Sequence, residues 1–145
     1  MNKQTIINIV AVITGLTLVA LNNVMGHYNP PFSITYTPFI MTIIIAGINY
    51  SLYKADFSAT VFYSFSLLLV NDFLIRTYAG GDHDQEGKGW ISMFFAITYI
   101  LSVISMLIYS VAISTDNKAT KSNIWVVLTG AVMTVFLYIG LLSNI

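Results

Sequence analysis

The sequence predicts an all-α fold, a polytopic bundle of transmembrane helices that forms a single domain over residues 1–145. Two features of the composition support this prediction: 57% of the residues are hydrophobic and only 8% are charged. Soluble domains carry about 25% charged residues, so this chain has too few to cover a water-exposed surface. The third observation is that the apolar residues fall into five segments, each of about 20 residues, the length of helix that crosses a bilayer.

The five predicted spans are separated by residues that favour turns or water. Their apolar runs are continuous, which favours helices over a β-barrel, because barrel strands alternate and are only about 10 residues long. The break at 54–56 leaves room for only a tight turn, so the second and third spans are expected to form an antiparallel hairpin. The predicted spans are Thr5–Met25, Ile34–Tyr53, Phe57–Tyr78, Trp90–Ser114 and Asn123–Leu142.

The first apolar segment is predicted to be a retained span. The apolar core of a signal peptide ends after about 7 to 15 residues and is followed by a small-x-small cleavage site. This segment instead continues through Val19 and Leu21 to a pair of asparagines.

The basic residues predict the orientation, because Lys and Arg are retained on the cytoplasmic side of short loops. With the N-terminus inside and the C-terminus outside, the inner side holds four of them and the outer side two. The inner residues are Lys3, Lys54, Lys118 and Lys121, and the outer ones are Arg76 and Lys88. Short loops and the lack of basic targeting tails predict a bacterial cytoplasmic (inner) membrane.

Several functional classes are excluded by composition. Six basic and six acidic residues give no basic stripe, so nucleic acid is not an expected partner. The absence of cysteine excludes disulfides and thiolate metal sites. The chain also lacks a phosphate-binding Gly-rich loop, an H-E-x-x-H helix and a G-x-S-x-G elbow, so we expect no enzyme. No cofactor is identified.

The first candidate site lies in the third span, where Asn71, Asp72 and Arg76 interrupt the apolar sequence. Asp72 and Arg76 are four residues apart, so a helix places them on one face at ion-pair distance. Ionisable groups inside a span often mark ion or proton pathways. One interpretation is an ion or proton-coupling site, with Arg76 extended towards water. The other is a structural pair within the helix that fixes the outer end of the span and hydrogen-bonds a neighbouring helix.

The second candidate site is the acidic loop that follows the third span. Its sequence resembles the start of a D-x-D-x-[DN]-G calcium loop, but a complete loop would need a bidentate Glu where Met93 stands. Nitrogen and carboxylate ligands on the outer face could instead hold zinc or another divalent cation. The alternative is a solvated loop without a metal. The candidate ligands are Asp82, His83, Asp84, Glu86 and His27.

The remaining polar and small residues are assigned to packing. Small-xxx-small spacing lets helices approach closely within one chain or between copies. We expect asparagines near helix ends to cap or to pair with backbone, and aromatic side chains within spans to fill the core. The small residues include Ala11, Gly15, Ala46, Gly47, Gly130 and Thr134, the asparagines are Asn22, Asn23 and Asn49, and the aromatics include Tyr138.

The functional prediction is a small, non-catalytic membrane protein that acts as an oligomeric channel or transporter with a polar site near the outer leaflet. Five helices are few for enclosing a polar path, so two or more copies are expected to form it. One alternative is an accessory or assembly subunit whose outer loop binds another subunit of a membrane complex. The other is a membrane module that senses a metal or ligand. The lipid bilayer is a partner in every case.

Overall fold

The computed structural model describes residues 2–52, 56–79, 85–114 and 116–142, and at 30–35 and 85–88 it describes the backbone only. These residues form five α-helices and, in the described ranges, no strand. The last helix continues into a π-helical turn at Tyr138–Leu142. The helices are α1 (Lys3–Tyr28), α2 (Pro30–Ser51), α3 (Phe57–Thr77), α4 (Gln85–Ala112) and α5 (Asn117–Leu137).

The all-α prediction is confirmed, and the fold is that of an integral membrane protein. Within the described ranges, four segments are long and apolar enough to cross a bilayer. A crossing needs roughly 20 residues of helix because each residue rises about 1.5 Å. The four segments are Lys3–Tyr28, Phe57–Thr77, Gly89–Ala112 and Asn117–Leu142.

Several helices begin earlier than the apolar runs predict, because polar residues at their ends are helical too. The Asp116 carboxylate accepts a hydrogen bond from the Ala119 N–H at 2.7 Å and starts α5 at Asn117. The Asp56 carboxylate caps α3 in the same way, through the Ala59 N–H at 2.9 Å. Such caps satisfy backbone donors that the first turn leaves unpaired. Asn2 caps α1 in the same way, because its side chain accepts a hydrogen bond from the Gln4 N–H in the first turn.

The bundle is built around α3, which packs against all four other helices. The others follow one another around it in the order α1, α2, α4, α5. Among the described residues, no Cα atom of α1 lies within 8 Å of one in α5, so α3 is uncovered between them. Phe62, Val70 and Phe73 are exposed along α3. The polar side chains of α3 on its other faces are therefore enclosed by neighbouring helices.

Glycines allow two of the closest approaches to α3. A Cβ atom on Gly15 of α1 would lie 2.9 Å from the Tyr63 hydroxyl oxygen and 2.7 Å from the Ile48 Cδ1 of α2. A Cβ atom on Gly130 of α5 would lie 2.9 Å from the Phe65 ring. These positions confirm the predicted use of small residues in packing. Gly47 is different, because a Cβ atom there would meet nothing within 4 Å.

Candidate functional site

Asp72 and Arg76 form a buried ion pair near the C-terminal end of α3. Arg76 Nε lies 2.8 Å from Asp72 Oδ2, as the four-residue spacing predicts. Asp72 is only 2% exposed and Arg76 4%. Removing two charges from water is expensive, and their attraction offsets the loss only when the geometry and the remaining hydrogen bonds are good. The pair therefore depends on what surrounds it.

Helices α4 and α5 supply the remaining partners of the guanidinium. Arg76 Nη2 donates to the Tyr138 hydroxyl oxygen at 2.8 Å and to Ser92 Oγ at 3.2 Å. The Tyr138 hydroxyl in turn donates to Ser92 Oγ at 3.2 Å. The Tyr138 ring stacks on Phe95 with centroids 4.0 Å apart, and Arg76 Cζ lies 5.7 Å from the Tyr138 ring centroid. Four side chains from three segments thus form one polar group.

The expectation that Arg76 extends outward to water is wrong. Its guanidinium is held inside the bundle by Asp72, Ser92 and Tyr138, which together offer one charged and two neutral acceptors. A planar guanidinium with several fixed donors suits such a set of partners. Tyr138, expected to be apolar filler, uses its ring for packing and its hydroxyl for this contact. The sequence placed it within a span but gave no indication that the hydroxyl faces Arg76.

Asn71, the residue before the ion pair, connects α3 to α1 and α2. Asn71 Oδ1 accepts hydrogen bonds from Asn22 Nδ2 and Asn23 Nδ2, both at 3.0 Å. Asn22 Nδ2 also donates to Thr37 Oγ1 of α2 at 3.2 Å. Asn23 Nδ2 makes a second bond, to the Val19 carbonyl at 2.8 Å. The Asn71 oxygen therefore joins α3 to α1, and the Asn22 amide extends the link to α2.

The interpretation of Asn22 and Asn23 as simple helix-end residues is incomplete. Asn23 does pair with backbone, but both side chains are buried and bond to Asn71. The reason is that α1 continues to Tyr28, which leaves the two asparagines more than one turn inside the helix. Two adjacent asparagines in a span are the sequence feature that could have indicated a polar contact between helices.

Asn49 also departs from its predicted role. Its side chain is 1% exposed, and neither its Oδ1 nor its Nδ2 has a hydrogen-bond partner in the described part of the chain. It therefore neither caps α2 nor pairs with its backbone there. It makes no described contact with the polar group around Asp72.

A small cavity adjoins the buried carboxylate, between α2, α3 and α4. Its volume is about 20 Å³. A cavity needs roughly 10–15 Å³ on this measure to hold a water molecule, so this one accommodates about one. Five apolar side chains and four polar ones line it; the polar ones are Thr37, Asn71, Asp72 and Thr98. Arg76 is not part of the lining. The cavity therefore faces the acidic side of the ion pair.

The acidic segment is only partly described. Asp82, His83 and Asp84 lie outside the described residues, so the predicted metal site is not seen. Glu86 belongs to the first turn of α4, not to the loop in which it was expected, because the helix begins at Gln85. Acidic residues favour the first turn of a helix through the helix dipole. The described side chains include no group of three metal-ligating residues.

His27, the remaining candidate ligand, packs at the C-terminal end of α3. Its Nδ1 lies 2.9 Å from the Tyr78 carbonyl oxygen, and its ring stacks on Tyr78 with centroids 4.8 Å apart. A carbonyl oxygen only accepts, so Nδ1 carries the proton and donates. Nε2 is then the ring nitrogen that could bind a ligand. The contact itself joins the end of α1 to the end of α3.

The chain matches none of the family models, characterised proteins or solved structures with which it was compared. Its function is accordingly inferred from the polar groups around Asp72 and Asn71 and from the membrane fold that encloses them.

Proposed function

We propose that the protein crosses the membrane five times with its N-terminus inside, and that it works as a small ion channel or transporter with its ion site at Asp72. The topology rests on α2, which has 22 residues and no charged residue. A helix of that length extends about 33 Å, enough to cross the hydrocarbon core. Counted as a fifth span, α2 places the chain termini on opposite sides.

The burial of Arg76 strengthens the charge asymmetry that supports this orientation. The positive-inside rule counts basic residues in loops and near span ends. Arg76 is bonded inside the bundle, so on the outer side only Lys88 remains, against four lysines inside. The asymmetry, together with loops too short for a soluble domain, fits the cytoplasmic membrane of a bacterium.

The observation that supports an ion site is the position of Asp72 at the edge of a small cavity, whose lining includes four polar side chains beside five apolar ones. A structural ion pair needs no cavity, and well-packed apolar residues often stabilise a bundle as well as a buried pair does. Here the carboxylate binds Arg76 through Oδ2, and the same residue also lines the cavity. Charged residues kept inside a span characteristically line ion and proton paths.

The site lies within one chain, since α2, α3 and α4 alone form the cavity. An assembly of two or more copies, as the number of helices led us to expect, would then carry one site per copy. Ser92 and Tyr138 bind the guanidinium and are not among the residues that line the cavity.

Flux measurements test the proposed function. Purified protein in liposomes is given gradients of H⁺, Na⁺, K⁺ and Cl⁻ in turn, and wild type is compared with Asp72→Asn. We expect a flux of at least one ion that the variant abolishes. The matched control is Asp116→Asn, which removes another carboxylate but keeps a good N-cap on α5. Equal fluxes through wild type and Asp72→Asn for every ion would contradict the proposal.

A further inference from the structure

We infer that the ion bound at Asp72 is a proton, and that a water molecule in the adjoining cavity delivers it to Oδ1. This inference rests on the proposed function and narrows it to one ion. Three features of the cavity support the inference: the sign of the charge that faces it, its size, and the number of side-chain oxygens that its lining residues offer.

The cavity presents an acceptor and not a cation. Asp72 lines it, whereas the Arg76 guanidinium lies on the other side of the carboxylate, bonded to Ser92 and Tyr138. A chloride or other anion in the cavity would face a carboxylate. The species that fits beside Asp72 is therefore a cation, a proton or a water that donates a hydrogen bond.

The oxygen ligands are too few for a divalent metal cation. Asn71 Oδ1 already accepts two hydrogen bonds, and Asp72 Oδ2 is held by Arg76. The lining residues offer three other side-chain oxygens, Asp72 Oδ1 and the hydroxyls of Thr37 and Thr98, and the two hydroxyls already bond to Asn22 and to the Phe94 carbonyl. One water brings the total to four, whereas Mg²⁺ requires six oxygen ligands and Ca²⁺ takes about six to eight.

The count of buried charges also favours a proton over a monovalent metal. A bound Na⁺ or K⁺ would place three charges in the same region: the metal, the carboxylate and the guanidinium. Protonation leaves only the guanidinium, because the carboxyl group becomes neutral. Each ion removed from water into the bundle carries a desolvation penalty of several kcal/mol, so protonation costs less desolvation than binding of a monovalent metal, although it leaves Arg76 without its opposite charge.

The proton transfer is a simple exchange between water and the carboxylate. A hydronium ion in the cavity transfers H⁺ to Asp72 Oδ1, an O–H bond forms, and a neutral water molecule remains. Oδ2 can still accept from Arg76 Nε, although the attraction between opposite charges is lost. The guanidinium keeps the Ser92 and Tyr138 oxygens and the nearby Tyr138 ring. Protonation thus weakens the link within α3 and leaves Arg76 bound to α4 and to the π-helical turn.

Few other ionisable groups face Asp72 from the surrounding helices. On α3 the neighbour is Arg76, and from the π-helical turn it is Tyr138. The described parts of α1 and α2 contribute the amides of Asn22 and Asn23 and the hydroxyl of Thr37 to this region, none of which titrates. Helix α4 contributes Ser92, and its sequence carries Glu86 and Lys88 in the first turns.

Infrared titration tests proton binding separately from transport. The carbonyl band of a protonated carboxyl group is followed as buffer pH is lowered, for the full chain in lipid. We expect a band, shifted in D₂O, that Asp72→Asn removes and Asp116→Asn leaves in place. If Asp72→Asn does not fold, the double variant Asp72→Asn with Arg76→Gln replaces it in the titration, because it carries no buried charge at this site. A titration identical in wild type and in both Asp72 variants would overturn the inference.

The liposome fluxes separate the two proposals. Proton flux that Asp72→Asn reduces to the level of protein-free liposomes supports both. A flux of Na⁺ or K⁺ that depends on Asp72, without a proton flux, would keep the proposed function and overturn the proton inference. A carboxyl band that depends on Asp72, with no ion flux altered by the variant, would contradict channel or transporter activity while leaving proton binding at Asp72 supported.

Discussion

The coupling between Asp72 and Arg76 can be measured with a double-variant cycle. Asp72→Asn leaves a guanidinium and Arg76→Gln leaves a carboxylate, each buried without its opposite charge. The partners are 2–4% exposed and 2.8 Å apart, so they are fully inside the bundle. Removing one member of a buried pair lowers the free energy of unfolding by about 3–5 kcal/mol. Removing both charges eliminates the unpaired ion, so the double variant should lose about 2–3 kcal/mol less than the sum of the single losses.

The free energies of unfolding are obtained by titrating micelles of the protein with a denaturing detergent. The fluorescence of the two tryptophans, Trp90 and Trp125, reports unfolding. We expect a coupling energy of about 2–3 kcal/mol, the upper part of the range for residues in direct contact. In acidic buffer the loss in Arg76→Gln should shrink, because the lone carboxylate can take up a proton. Losses that add to within about 0.5 kcal/mol would show that the pair does not act as a unit and would refute this reasoning.

Three further variants test other contacts by the same unfolding measurement. Tyr138→Phe keeps the ring but removes the hydroxyl that accepts from Arg76. We expect the free energy of unfolding to fall by about 1.5–3 kcal/mol, the range for a hydrogen bond to a charged group. An unchanged stability would mean that the hydroxyl contact is not made. Gly15→Ala should destabilise the bundle by about 1–3 kcal/mol, because the added methyl group would collide with its neighbours. Gly47→Ala is the matched control and should be neutral or stabilising, because the space around Gly47 is open. Equal effects of the two substitutions would contradict the close approach of helices at Gly15. Asn71→Leu removes the oxygen that accepts hydrogen bonds from two amides of α1, and we expect the free energy of unfolding to fall by about 1–3 kcal/mol. A stability equal to that of wild type would contradict this link between α1 and α3.

The helices could be predicted from the sequence because lipid imposes a simple rule on them. Every backbone group in a span must be paired within the segment, so a long apolar run becomes a helix whatever its content of Val, Ile and Thr. The ends were harder to place, because polar residues such as Asn117 and Gln85 continue the helices beyond the apolar runs. Hydropathy identifies the residues that prefer lipid, whereas the backbone hydrogen bonds of a helix continue into the polar residues at its ends.

The ion pair could be predicted from spacing, whereas its partners could not. Asp72 and Arg76 lie on one helix, where sequence distance fixes spatial distance. Ser92 and Tyr138 come from other helices, and their contact with Arg76 depends on the rotation and order of the helices around α3. A single sequence carries no information on either. The same holds for Asn71, whose partners are 48 and 49 residues away.

The position of Tyr138 in the final turn has a consequence for biosynthesis. Helices α1 to α3 complete the amide contacts of Asn71 as soon as the third segment leaves the ribosome and enters the bilayer. Arg76 enters at the same time, yet the hydroxyl that it binds at 2.8 Å is made 62 residues later. Until then a guanidinium within the nascent bundle lacks one of its acceptors. The polar site is therefore complete only after Tyr138 has been made, and a product terminated before that residue would leave the Arg76 guanidinium without this acceptor.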